Sequence, residues 1–218
     1  TSTSSILYCN GAQTCNLDVV GDIVLSGRGP SSNQSIIYFD NINTTNGNLT
    51  MSNGAHIVHV NYTNASGTGI DIGGGLNMTN SQIYFHQPAP IQIRNGDAVI
   101  TGRYSNYAIY YNESLVVFNG NLTVKRGTTE TGRPHSVVAQ RGGRVYASGD
   151  ILIQNIEFDG YDSGGWSGEG IIAFESANGN ITFDRAFLRT LRGPLRAANG
   201  KITFTGNSIS DTLMGNYG

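Results

Sequence analysis

The chain has 218 residues, of which 38% are hydrophobic and 13% charged, and its formal net charge is −2. The charged fraction is about half of the usual ~25%, and no strongly basic stretch is available to contact phosphates, which disfavours a nucleic-acid partner. The apolar residues recur on a regular schedule but never in a run of about 20, which disfavours both a disordered chain and membrane insertion by a helix.

Residues 1–20 carry both cysteines, Cys9 and Cys15, and are predicted to form a first coil or an N-terminal cap. Asn10-Gly11 between them favours a tight turn that brings the thiols together. A local disulfide is therefore favoured over two unpaired thiols, and the spacing is not that of a zinc site. A disulfide indicates an oxidising compartment outside the cytosol.

From residue 21 onward, a glycine followed by alternating apolar and polar residues recurs eight times. Successive glycines of this motif are 21 to 30 residues apart. They are Gly21, Gly47, Gly74, Gly96, Gly120, Gly149, Gly179 and Gly200. A turn followed by period-two alternation predicts a short half-buried strand, and a strand that returns at this interval predicts a solenoid whose coils stack.

The repeats predict an all-β fold, namely a right-handed parallel β-helix of about eight coils in a single domain of residues 1–218. An antiparallel sandwich or jelly roll is the alternative, but it gives no reason for the same strand sequence to recur. The chain begins Thr1-Ser2-Thr3, as a mature protein or a segment of a longer chain would. Because they share one offset from the glycine, eight residues are expected to form one buried column: Ile23, Leu49, Leu76, Ala98, Leu122, Ile151, Ile181 and Ile202.

Four tyrosines crowd one short segment: Tyr104, Tyr107, Tyr110 and Tyr111. Tyrosine loses little entropy on binding and stacks on sugar rings or protein partners, so this cluster is a candidate ligand-binding site. The alternative is that at least two of these rings stack on each other and stabilise the coil.

Acidic residues concentrate farther along the chain, and four of them are candidates for catalysis: Glu157, Asp159, Asp162 and Glu169. Glu157 and Asp159 would share one strand face, about 7 Å apart between Cα atoms. This separation suits the paired carboxylates of an inverting glycosidase. The favoured alternative is a solvated turn whose acids pair with nearby arginines.

Two irregular segments follow. Residues 159–170 are predicted to be a long loop with two aromatic residues, Tyr161 and Trp166. Residues 184–198 alternate leucine and arginine at near-helical spacing, and Gly193-Pro194 would end a helix there. We expect a short helix or a protruding loop in this second segment.

The function of a solenoid usually resides in such insertions, because the coils themselves are committed to stacking. If both segments leave the solenoid at one corner, they lie side by side. The ligand-binding site is therefore predicted there, with Tyr161 and Trp166 as contact platforms and Arg189 and Arg192 as anion anchors.

No metal or cofactor site is predicted. The four histidines, His56, His59, His86 and His135, are scattered and read as partly buried structural residues. Residues 66–71 are one imperfect copy of a calcium-binding nonapeptide, for which a turn is the better interpretation.

The units Gly47-Asn-Leu-Thr-Met and Gly179-Asn-Ile-Thr-Phe, together with the Asn, Ser, Thr and Gly bias, resemble secreted bacterial β-helix adhesins. The similarity is to filamentous-haemagglutinin-like and high-molecular-weight adhesins exported by two-partner secretion, and to autotransporter passenger domains. This resemblance implies a secreted or cell-surface location and a role in virulence. Its implied partner is a host cell-surface glycan or protein, or the same protein on a neighbouring cell.

The function predicted from the sequence is thus a non-catalytic adhesin or receptor-binding β-helix. A glycosidase or polysaccharide lyase acting through the four candidate carboxylates is one alternative, although the pectate-lyase and polygalacturonase signatures are missing. A structural stalk without any site is the other.

Cys9 and Cys15 are predicted to be bonded to each other. Labelling of the denatured, unreduced protein with a thiol reagent should therefore detect no free thiol, and labelling after reduction should detect two. Two reactive thiols before reduction would contradict the disulfide and remove this argument for an extracytoplasmic location.

Overall fold

A computed structural model shows an all-β chain whose parallel strands stack as a β-solenoid. The structure describes residues 7–8, 15–27, 35–59, 69–85, 89–102, 108–126, 136–140, 143–160, 173–189, 193–206 and 209–210. No helix occurs among these residues. The parallel β-helix class predicted from the glycine repeat is therefore confirmed.

The strands, numbered along the chain, form three parallel sheets, and each coil contributes one strand to sheets A, B and C in turn. Sheet A contains β1 (Leu7–Tyr8), β4 (Ser35–Phe39), β7 (Ala55–His59), β10 (Gln82–Phe85), β13 (Ile109–Asn112), β16 (Ser136–Gln140), β19 (Glu157–Gly160), β22 (Phe187–Arg189) and β25 (Ile209–Ser210). Sheet B contains β2 (Asn16–Val19), β5 (Asn41–Thr44), β8 (Gly69–Ile72), β11 (Pro90–Ile93), β14 (Ser114–Val117), β17 (Arg144–Ala147), β20 (Ala173–Ser176) and β23 (Leu195–Ala197). Sheet C contains β3 (Ile23–Ser26), β6 (Leu49–Ser52), β9 (Leu76–Thr79), β12 (Ala98–Gly102), β15 (Leu122–Arg126), β18 (Ile151–Gln154), β21 (Ile181–Asp184) and β24 (Ile202–Thr205).

The eight residues predicted to form one column are paired in register along sheet C, from Ile23 to Ile202. Seven of them are buried, and Leu49, Ala98, Leu122 and Ile181 are fully inaccessible. Ile202 is 37% exposed because β24 is the last strand of the sheet among the described residues. The buried column is confirmed, with its last member at an open edge.

Inward-facing residues of all three sheets meet in one hydrophobic core. Ile70 and Ile91 of sheet B and Ile57 and Ile83 of sheet A are fully buried, like the column of sheet C. Many strands alternate such a residue with a more exposed one, as β9, β12, β18 and β21 do. Burial of each large aliphatic side chain contributes roughly 1.5–3 kcal/mol, which makes this core the main source of stability.

The corner from sheet B to sheet C explains why glycine recurs. Successive coils touch there through their backbones, as in the hydrogen bond from Gly149 N to Gly120 O at 2.9 Å. A Cβ atom built on Gly120 would overlap the carbonyl oxygen of Gly96 in the preceding coil, whereas a Cβ on Gly21 would meet no atom within 4 Å. Gly21 lies in the first of these corners, so no earlier corner lies beneath it. Close stacking excludes side chains at this position.

Except at Gly75 and Lys201, which have no side-chain oxygen, the residue after each of these glycines forms a second link between coils. Its side-chain oxygen accepts a hydrogen bond from the backbone N–H of the equivalent residue in the next coil, for example from Asn121 N to Asp97 Oδ1 at 2.8 Å and from Asp150 N to Asn121 Oδ1 at 2.8 Å. Asp150 in turn accepts from Asn180 N at 2.7 Å. From Asp97 to Asn180, Asp and Asn alternate along the stack, so a neutral amide separates the two carboxylates and limits their repulsion.

The helix considered for residues 184–198 is wrong for the part that the structure describes, which contains β22 and β23. Leu188 pairs with Phe158 in sheet A, and Leu195 pairs with Phe174 in sheet B. The leucines are spaced like residues on one face of a helix, but Leu188 and Leu195 belong to strands of two different sheets. Edge hydrogen bonds offered by the preceding coil, such as Phe187 N to Ile156 O at 2.9 Å, stabilise the strand conformation. Residues 190–192, where a loop was also considered, lie outside the described residues.

Gly120→Ala is expected to destabilise the solenoid by about 1–3 kcal/mol, because the added methyl group must displace backbone of the neighbouring coil. Gly21→Ala is the matched control and should change stability by no more than about 0.5 kcal/mol. Urea unfolding followed by circular dichroism compares the two variants. Equal midpoints would contradict the explanation of the glycine repeat by close backbone approach.

Candidate functional site

The four candidate catalytic carboxylates are only partly within the described structure. Glu157 and Asp159 lie two residues apart on β19 of sheet A, as their spacing predicted. Asp162 and Glu169 lie outside the described residues. A catalytic pair therefore stays a prediction.

Two further acids of the same stretch lie on different sheets. Glu175 belongs to β20 of sheet B, whereas Asp184 ends β21 of sheet C. The Asp184 carboxylate accepts hydrogen bonds from Gln154 Nε2 at 2.8 Å and Arg185 Nη2 at 3.1 Å. These bonds, the first above all, hold the pKa of Asp184 below its ordinary value. Asp184 is thus a structural acid that joins two coils.

The two irregular segments connect the same pair of sheets in successive coils. Strands β19 and β20 flank residues 161–172 in the chain, and β22 and β23 flank residues 190–194, so each segment follows a strand of sheet A and precedes a strand of sheet B. Tyr161, Trp166 and Arg192 fall outside the described residues, and Arg189 is the last residue of β22. The predicted site at these insertions stays a prediction, but its two segments lead into neighbouring strands of sheet B.

The three described arginines of residues 184–198 belong to different parts of the solenoid. Arg185 occupies the corner from sheet C to sheet A with a φ of 49° and pairs with Asp184. Arg189 belongs to sheet A, and Arg196 is exposed on the outer face of sheet B. Arginines that are close in the sequence therefore lie on different parts of the solenoid surface.

Of the clustered tyrosines, Tyr110 stacks on Tyr84 of the preceding coil. The ring centroids are 5.0 Å apart and the planes 13° from parallel. Tyr111 lies in β13, and Tyr104 and Tyr107 lie outside the described residues. Tyr110 therefore stacks on a ring outside the cluster, and stacking between the clustered tyrosines stays a prediction.

The outer face of sheet B carries a shallow open groove of about 370 Å³. It spans three successive coils near the corner toward sheet C. The residues that line it are Tyr146, Glu175, Ser176, Ala177, Asn178, Arg196, Ala198 and Asn199. We call this feature the sheet-B groove.

The groove exists because side chains shorten at one position of the corner. Backbone hydrogen bonds place Phe118, Ser148, Ala177 and Ala198 at equivalent positions of four successive coils. Phe118 is large and 38% exposed, whereas the next three side chains are small. The loss of bulk opens the space that Ala177 and Ala198 line.

One wall of the groove is a row of three side chains in register, Tyr146, Glu175 and Arg196. The guanidinium of Arg144 lies 5.0 Å from the centroid of the Tyr146 ring, and its Nη1 is 3.9 Å from Glu175 Oε2. The wall therefore presents an aromatic ring, a carboxylate that already has a cationic neighbour, and a second cation.

The opposite wall consists of corner amides. Asn199 Nδ2 donates to the carbonyl oxygen of Ala177 at 2.9 Å and to Asn178 Oδ1 at 3.3 Å. These bonds fix both side chains at the rim, where Asn178 and Asn199 are exposed. An aromatic platform facing fixed amides and charges is suited to a polar ligand with an apolar face, such as a sugar.

Sequence reasoning missed this groove. Of the lining residues, Arg196 and Ala198 belonged to a segment considered as a site, whereas Tyr146, Asn178 and Asn199 were not candidates. The sequence does contain one signal of the groove. When the coils are aligned on their glycines, the side chain at this corner position becomes smaller from Phe118 to Ala177 and Ala198.

Two other classes of site receive no support from the described structure. Within the described ranges, no group of three or more His, Cys, Asp or Glu side chains is placed to hold a metal ion. A search of the same residues finds no helix of sufficient length and hydropathy to cross a bilayer. Cys9 lies outside the described residues, so its disulfide with Cys15 stays a prediction.

His56 on β7 is a titratable group in a partly buried position. Burial lowers the pKa of its imidazole from the ordinary value. In the described surroundings, its buried Nε2 has no hydrogen-bond partner, and its register neighbour in the next coil is Gln82. His56 is therefore a structural residue that folds best in its neutral form; His59 belongs to the same strand, and His86 and His135 lie outside the described residues.

Comparison with known proteins gives no relative: no protein-family model matches the chain, and neither a curated protein nor a solved structure matches it significantly. The resemblance to bacterial adhesins therefore depends only on the repeated units and the composition of the sequence. The fold and the groove are the features that indicate a function.

The lowered pKa of His56 predicts a loss of stability in mild acid. The unfolded chain takes up this proton near pH 6.5, whereas the folded chain takes it up only at lower pH. The free energy of unfolding should thus fall as pH drops below about 6.5 and level off below the folded pKa. His56→Gln, which matches Gln82 of the next coil, should reduce this decline in urea titrations at pH 7.5, 6 and 5; an unchanged pH dependence would contradict the assignment.

Proposed function

We propose that the chain is a non-catalytic, secreted β-solenoid that binds carbohydrate on a cell surface, as an adhesin does, through the sheet-B groove. The observation that carries this proposal is the groove itself, where Tyr146, Glu175 and Arg196 face Asn178 and Asn199. Aromatic rings that stack on sugar faces, together with polar groups that bond hydroxyls, are the usual means of sugar recognition.

A binding role accounts for the groove better than catalysis does. Glycosidases require two carboxyl groups that flank the scissile bond. Among the residues that line the groove, Glu175 is the only acid, and Arg144 lies beside it. The groove is also open along one side, which suits reversible contact with an extended chain more than exclusion of water.

A structural stalk is the second candidate, and the regular B-to-C corner favours it. At this corner the Asp and Asn hydrogen bonds and the close glycine contacts recur in most coils, and the described corner residues form no protruding loop. A stalk would use these contacts only to hold a distal part of the protein away from the cell. The two candidates differ in whether the purified chain binds any glycan.

The number of coils, the direction of winding and the secreted location are also part of this proposal. We infer eight coils from the eight strands in each of sheets B and C. Right-handed winding is inferred because nearly all connections between parallel strands of one sheet are right-handed. Secretion is inferred from the predicted disulfide, since such bonds persist outside the cytosol.

Tyr146→Ala is expected to weaken glycan binding about tenfold or more, because aromatic contacts dominate small interfaces. Its melting temperature should stay nearly unchanged, since the ring lies on the outer face. Tyr84→Ala, which removes a partly exposed tyrosine from sheet A, is the control and should bind as the unaltered protein does. The measurement is a glycan array followed by titration calorimetry on the best ligand.

Three results would count against the proposal in different ways. Binding to no glycan by the unaltered protein would favour the stalk. Full binding by Tyr146→Ala would move the site elsewhere, first to the insertions with Trp166. Cleavage of a bound oligosaccharide would establish the enzyme.

A further inference from the structure

We propose that the sheet-B groove selects acidic sugars, namely oligosaccharides that contain a uronic acid, and that Arg196 binds the carboxylate. This inference deepens the proposed function and rests on it. It depends on the charge, spacing and hydrogen-bonding capacity of the groove walls.

The charge of the groove favours an anion. Glu175 and Arg144 lie 3.9 Å apart and offset each other. Arg196 stands next to Glu175 in register but makes no ion pair with any described residue, and it is exposed. One cationic charge is therefore left at the groove. A guanidinium is a planar fork of donors that fits a carboxylate through two parallel hydrogen bonds.

The spacing of the wall favours a sugar chain that runs along the solenoid axis. Tyr146, Glu175 and Arg196 occupy three successive coils, and adjacent strands are about 4.8 Å apart. A pyranose ring with its glycosidic oxygen has a comparable length. A neutral sugar over Tyr146 would thus place the carboxylate of a nearby uronic acid at Arg196, about two strand spacings away.

The remaining walls complete the match to a sugar. Ala177 and Ala198 offer methyl groups to the C–H surface of a ring. Asn178 uses its Oδ1 to accept from Asn199, and its Nδ2 donates to no residue of the described structure, so this amino group can donate to a hydroxyl or carboxylate oxygen. Glu175 can accept from sugar hydroxyls. The groove therefore offers hydrogen-bond donors, an acceptor and two methyl groups to one ligand.

The same walls argue against densely sulfated chains. A polymer with several charges per sugar needs a row of cations, and the groove offers one unpaired arginine beside a carboxylate. Glu175 would repel additional anionic groups at this distance. Sparse carboxylates separated by neutral sugars fit this arrangement better.

The test measures dissociation constants of the 218-residue chain by calorimetry for matched oligosaccharides. Hyaluronan tetrasaccharide carries carboxylates without sulfate, its carboxyl-reduced form carries neither, and keratan sulfate tetrasaccharide carries sulfate without carboxylate; tetragalacturonate is a second carboxylated ligand. We expect at least one carboxylated ligand to bind at least about tenfold more tightly than the reduced and sulfated ligands. This preference should diminish as salt concentration rises.

Arg196→Gln should remove most of this preference without lowering the melting temperature. Lys125→Gln is the matched control, because it removes one cation from sheet C at a position where the next coil carries Gln154. This control should retain the full preference. Equal loss in both variants would indicate a general charge effect and overturn the assignment to Arg196.

The outcomes separate this inference from the proposed function. Binding of neutral glycans with no preference for a carboxylate would overturn the acidic ligand and leave the carbohydrate-binding role intact. Tighter binding of the sulfated ligand would overturn the choice of carboxylate. Failure to bind any of these ligands, together with an empty glycan array, would overturn both.

Discussion

The close approach of successive backbones at the corner between sheets B and C is the constraint on which the rest of the structure depends. Gly120 leaves no room for a Cβ atom, and Gly149 donates its N–H directly to the Gly120 carbonyl oxygen. Because the coils meet there at backbone distance, the strands that follow enter sheet C in register. The register in turn aligns the inward side chains, which fill the core as continuous columns.

That constraint also determines where a ligand can bind. Inward side chains are committed to the core, and the corner side chains Asp97, Asn121 and Asp150 are committed to hydrogen bonds between coils. Side chains are free to vary on the outer faces and at the corner position that Phe118, Ser148, Ala177 and Ala198 occupy. The sheet-B groove forms where this position changes from Phe118 to Ala177, so a small departure from the repeat produces the surface best suited to contact a ligand.

Sequence periodicity predicted the sheets well because the same physical contact selects the same residues in every coil. It failed for residues 184–198, where Leu188 and Leu195 belong to different sheets although their spacing resembles a helix. It also gave no weight to Tyr146, because a single outward tyrosine in a regular strand has no distinctive pattern. Its role depends on Glu175 and Arg196, which lie 29 and 50 residues farther along the chain.

The sequence by itself determined the parallel β-solenoid class, the column from Ile23 to Ile202 and the position of the tight corner. Each of these follows from interactions that repeat with every coil and therefore leave a period in the chain. Only the tertiary structure decided which outer side chains become neighbours, because stacking brings together residues that are a whole coil apart. The row of Tyr146, Glu175 and Arg196 and the shortened corner beside it are products of that stacking, and so is the groove between them.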